Sequence, residues 1–132
     1  MKRTELREIA IKILYETYIF EKAKIDYNIN LLLKDEMDNP DDFVLELIQG
    51  VKDNQKEITA LANKYLLNWE IDRLSKVDKA IISIAIYELK YTDTPYKIVI
   101  DEALNLSHKY SDENVTKMIN AMLDGIYKNE CE

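Results

Sequence analysis

The chain has little of what marks a catalytic or secreted protein. A single cysteine, Cys131, rules out an internal disulfide, which fits a reducing compartment and leads us to expect a cytoplasmic protein. Two glycines, Gly50 and Gly125, cannot build a phosphate-cradling loop or a dinucleotide fingerprint. With only two prolines besides, turn signals are too few for a β-sandwich. One histidine, His108, cannot supply a zinc site or a nucleophile–base pair, and it reads as a surface residue. No run approaches the ~20 apolar residues of a membrane span. The opening MKRTELREIA is charged and lacks an apolar core, so no secretory signal is expected there. Positive charge is scarce as well. Lys and Arg number 18 against 25 Asp and Glu, a net charge of −7 that argues against a strongly basic nucleic-acid binder.

What is present is helical patterning. A length of 132 residues, 47% hydrophobic and 33% charged, suits one domain. Leu6, Ile9, Ala10, Ile13, Leu14 and Thr17 repeat at i, i+3, i+4 and i+7, which predicts a first helix over 4–21 with Thr4 as N-cap. Ile25, Ile29, Leu32 and Leu33 predict a short second helix ended by KDEMDN. Asn39-Pro40-Asp41-Asp42 reads as the start of a long third helix reaching Leu66, with Pro40 at its first position. Gly50 lies inside that helix at a cost of up to ~1 kcal/mol relative to alanine, so a closely packed neighbour is expected. LNWEIDRL predicts a single turn. Ser75 and Asp78 match a capping box opening a helix to about Tyr91. Thr92–Pro95 ends it, and further helices follow from Pro95 to Tyr110 and from Ser111 onward. No strand, repeat or linker is apparent. The chain reads as all-α, about seven helices in one globular domain.

The stretch DRLSKVDKAIISIAIYEL stands apart. Ala80–Tyr87 is broken only by Ser83, so no single face is apolar, and a short helix apolar all round must be enclosed by others. The surface signals are weaker. Lys2, Arg3, Arg7 and Lys12 stand against Glu5 and Glu8 in the first twelve residues, a small basic end that also fits ordinary solvated charge. Nine tyrosines against two phenylalanines suit either core-edge packing or base stacking, and periodicity does not separate the two. Asp101 and Glu102 point about 100° apart on a helix and share no site.

NWEIDRLSKVDKAIISIAIYEL, then DTPYKIVIDEALNLSHKY, then NVTKMINAMLDGI resembles, in order and spacing, the NusB family of bacterial transcription antitermination factors. REIAIKILYE extends the resemblance into the N-terminus. It implies two packed helical subdomains, residues 1–67 with three helices and 68–132 with four. It also implies an adaptor without catalysis, cofactor or metal, binding the boxA element of single-stranded rRNA transcripts with NusE, a small-subunit ribosomal protein. The pair would join RNA polymerase with other Nus factors. Without a partner, the apolar-rich helices themselves could pair into a homodimer. By position, Lys2, Arg3 and Arg7 match the family's phosphate-binding arm. Tyr15 and Tyr65 match tyrosines near the RNA, and Asp78 and Lys79 an acidic–basic pair beside it. Lys117, Met118 and Asn120 fall in the family's Lys-Phe-Val-Asn-Gly motif.

Several positions depart from the family pattern. Met118 stands for the phenylalanine, Ala121 for the glycine, Asp101 for an asparagine and Ser83 for a common arginine. Apart from Ala121, each change removes a cation or an aromatic face, or adds negative charge, while the helical frame is kept. The reading that follows is an RNA-binding adaptor. Its alternative is a protein–protein scaffold that binds NusE with little RNA affinity of its own. A link to RNA methyltransferases carrying a NusB-like domain finds no cofactor loop to support it.

Overall fold

The computed structural model describes residues 1–131. Six α-helices follow in order: α1 (Arg3–Lys22), α2 (Ile29–Lys34), α3 (Asp42–Tyr65), α4 (Lys76–Tyr91), α5 (Tyr96–Tyr110) and α6 (Glu113–Glu130). A 3-10 turn, Ile71–Arg73, lies between α3 and α4 and makes the seventh helical segment. No strand occurs among the described residues.

The apolar stretch becomes the centre. Every residue from Ala80 to Glu88 on α4 is buried. The helix packs against α1, α3, α5 and α6, which enclose this stretch on all sides. Four isoleucines, 81, 82, 84 and 86, each contribute about 1.5–3 kcal/mol by leaving water. Ser83 is tolerated inside because Gln55 Nε2 donates to its hydroxyl at 3.2 Å. The Tyr18 hydroxyl completes that network by donating to Gln55 Oε1 at 2.6 Å.

Gly50 has the close neighbour its position requires. A Cβ there would lie 2.2 Å from Tyr87 Cε1, so the glycine lets α3 and α4 approach. One turn further on, Asn54 leaves helical geometry (φ −118°, ψ 15°) and donates its amide to the Gly50 carbonyl at 2.8 Å. This marks a kink in α3.

Helix boundaries differ from the pattern at four points, each for a local reason. The N-cap of α1 is Lys2, whose N–H reaches Glu5 at 3.4 Å, and Thr4 lies inside the helix with its hydroxyl donating to Glu102 at 2.6 Å. Ile25 is outside α2, exposed beyond a left-handed Lys24, because Asn28 caps the helix by accepting the Leu31 N–H at 3.1 Å. Pro40 precedes α3, since the Asp41 carboxylate accepts from the N–H groups of Phe43 and Val44 and takes the cap. Only half the capping box of α4 forms: Ser75 Oγ accepts from the Asp78 N–H at 3.1 Å, while the Asp78 carboxylate turns to the Ser111 hydroxyl.

Candidate nucleic-acid interface

On α1 the residues Glu8, Lys12 and Tyr15 are spaced i, i+4 and i+7 and so share one face. Across from them stand Tyr110, at the C-terminus of α5, and Val77, in the first turn of α4. Between these elements runs a groove of about 320 Å³ with Ile9, Ile11 and Val77 in its lining. Tyr15 and Tyr110 also line it and are 37% and 47% exposed. Apolar lining with two accessible aromatic rings suits a planar, unstacked base. Glu8 accepts from the Tyr110 hydroxyl at 2.6 Å and from Lys109 Nζ at 2.9 and 3.0 Å. The phenol and the ammonium together hold the Glu8 carboxyl below the usual range. Lys12 pairs with Glu36 at the other side of the groove.

Beside this groove lies the start of α6, capped by Asp112 and joined to α4 through the Ser111–Asp78 bond. Asp78 is therefore buried as a strut between helices. Lys117 and Asn120 are exposed on one face of α6, while Met118 packs against the core. Lys2 and Arg3 are exposed at the start of α1, with the Arg3 guanidinium 4.1 Å from the centroid of the Phe43 ring. Arg3 lines a second cleft, of about 570 Å³, shared with Thr94, Pro95 and Ile98.

Three expected contacts lie apart from this arrangement. Arg7 is only 3% exposed. Its Nε and Nη2 donate to the two Glu88 oxygens at 2.9 and 2.8 Å, and Nη1 lies 3.4 Å from Glu102. Burial works against its charge, but the two carboxylates outweigh that and hold its pKa above the ordinary value. The guanidinium is engaged inside the protein and leaves little surface for a phosphate. Tyr65 sits at the far end of α6, against Gly125, with its hydroxyl donating to Glu130 at 2.6 Å. Lys79 faces away from Asp78, bonded to Asp72 at 2.8 Å and 4.5 Å from the Tyr18 ring centroid. Conversely, Tyr110 and Lys109 were not singled out by the pattern. Tyr110 falls on the apolar side of its helix by spacing, yet it ends α5 and stands 47% exposed.

The NusB family model matches residues 4–128. The chain belongs to the NusB family. Among relatives, the transcription antitermination protein NusB of Listeria monocytogenes serotype 4a is 39% identical over 127 residues, 96% of each chain. That of Bacillus subtilis (strain 168) is 33% identical, over 96% of this chain and 95% of the relative. The structure of T. maritima NusB superposes with a TM-score of 0.82 at 30% identity, covering all of this chain and 94% of that one. A chain from the complex of antitermination factors NusB and NusE with dsRNA superposes at 0.76 over 97% of this chain and 98% of its own. At 23% identity that last likeness is one of fold. The NusB-type core thus accounts for nearly the whole chain, and among the described residues no helix is long and apolar enough to cross a membrane.

Proposed function

We propose that this chain is a transcription antitermination adaptor that binds boxA-type single-stranded RNA together with NusE and joins RNA polymerase with other Nus factors in the cytoplasm. It works by contact and carries out no catalysis. The observation that carries the reading is the apolar groove between two exposed tyrosines, Tyr15 and Tyr110, in a member of a family whose curated relatives are named as antitermination proteins. In this reading the tyrosines stack bases, Lys2, Arg3 and Lys117 meet phosphates, and Asn120 reads a base edge. Asp78 and Met118 act behind them, the first by bracing the start of α6 and the second by packing α6 against the core. Arg7 holds α1 to α4 and α5.

The cations available are few. If three or four phosphates are neutralised, the single-strand salt slope is roughly −2 to −3, and a rise from 50 to 200 mM salt costs roughly 20- to 50-fold in affinity. Useful RNA binding then depends on cationic surface added by NusE. Burial of Arg7, which subtracts one cation from the arm, favours the second reading, a scaffold that binds NusE with little RNA affinity of its own. A filter-binding titration with and without NusE, on wild type and Arg3→Glu, separates them. The adaptor gains RNA affinity with NusE and loses it in Arg3→Glu while NusE binding is kept. Equal RNA affinity in all arms leaves the scaffold.

A further inference from the structure

The groove assigned to RNA above has electrically unlike ends. At the α5 end, one carboxylate, Glu8, faces one ammonium, Lys109, and the Tyr110 hydroxyl. His108 and Glu113, 3.4 Å apart, stand where α5 gives way to α6. At the α2 end, Lys12 faces Glu36 and also feels Glu16 and Asp35. Three carboxylates act on one ammonium there, whereas Glu8 and Lys109 pair one to one.

The depth of the groups matters as much as their number. The Glu8 side chain is 30% exposed and that of Lys109 58%, so the carboxylate lies inward and the ammonium outward. A lysine ammonium has three protons, and Glu8 takes two of them through its two oxygens. The Lys109 side chain is 58% exposed, so its ammonium is open to a further acceptor beside the tyrosine-lined groove. A nucleotide seated with its base between Tyr15 and Tyr110 would bring its phosphate to this corner, because the Lys12 end repels it.

We infer that Lys109 is a phosphate-binding residue of the groove and that Glu8 is the built-in counter-ion that restrains it. The inference rests on the RNA-binding reading. Glu8 has two opposed effects: its bond to the Tyr110 hydroxyl fixes the ring that flanks the base, and its charge repels the phosphate that must follow. Removing the charge while keeping an acceptor separates the two, and Glu8→Gln does so because the amide oxygen can still accept from Tyr110. One unit of repulsion across about 5 Å of water-like medium corresponds to a change in affinity on the order of fivefold at low salt.

The test is fluorescence anisotropy of a labelled boxA-type single-stranded RNA with the NusE complex, over a salt series. The proteins compared are wild type, Glu8→Gln, Glu36→Gln, Lys109→Gln and the Glu8→Gln/Lys109→Gln double variant. Glu8→Gln should bind about fivefold tighter at low salt, with a salt slope steeper by about 0.7. That gain should vanish in the double variant, and Glu36→Gln should gain less because Glu16 and Asp35 remain. Wild-type binding with an indifferent or weakened Glu8→Gln overturns the inference alone, as does a gain that survives loss of Lys109 or is matched by Glu36→Gln. Absence of RNA binding by both wild type and Glu8→Gln overturns the underlying reading along with it.

Discussion

Arg7 and Glu8 are neighbours on α1, yet each anchors an ion-pair cluster of opposite character. Arg7 turns inward to Glu88 and Glu102 and is enclosed on all sides. Glu8 turns about 100° away, to Lys109 and Tyr110 at the rim of a groove. Both clusters join α1 to α5 and both contain a bidentate pair of charges. What differs is solvent. In the first, the charges are removed from water and depend on one another. In the second, water competes for each partner, so the cluster can rearrange when a ligand arrives. The same residue types thus serve the fold at one position and a surface at the next.

The comparison breaks most visibly at Arg7. Arg7→Ala would leave the Glu88 carboxylate, its side chain 2% exposed, buried without its cation, and should cost about 3–5 kcal/mol in chemical denaturation. Replacing Arg7 and Glu88 with leucine should cost less, because the only carboxylate of the cluster then left without its cation is Glu102, whose side chain is 18% exposed. A single variant no worse than the double would show that Glu88 finds water or another donor. On the groove side, truncation should act on binding instead. Tyr110→Ala is expected to weaken boxA-type RNA by about 1–3 kcal/mol, with a melting temperature close to wild type and NusE binding retained. Unchanged RNA affinity would remove Tyr110 from the interface.

The fold was legible in the sequence where a residue's role depends on its own helix. Ala80–Tyr87 had no polar face and is enclosed; Gly50 needed a close neighbour and has Tyr87. Boundaries were harder where two caps compete, as Asp41 does with Pro40 and Lys2 with Thr4. The site was less legible because its geometry is set by pairs far apart in the chain. Glu8 and Tyr110 are 102 residues apart, Arg7 and Glu88 81, and no local pattern couples them. A motif position also does not tell which way a side chain turns. Arg7 matches an RNA-contacting arm by sequence, but the carboxylates that claim it lie on α4 and α5. Asp78 and Lys79 are adjacent, yet one braces Ser111 and the other reaches Asp72.

The smallest effect expected is a titration. Glu8 should ionise below its ordinary 4.5, first because the Tyr110 hydroxyl donates to the carboxylate and next because Lys109 does. A carboxyl whose folded-state pKa is depressed contributes stability that is present above its unfolded pKa. That contribution is lost as pH falls through the folded value, so the window lies below about pH 4.5. It is small here, since solvent screens a partly exposed pair. Carboxyl carbon NMR over an acid titration can follow Glu8 directly. Tyr110→Phe should move its pKa up toward 4.5, and Lys109→Gln should move it up by less. An unmoved titration in Tyr110→Phe would mean that the phenol does not hold Glu8 in solution, and the rim of the groove would lose the bond that fixes its aromatic wall.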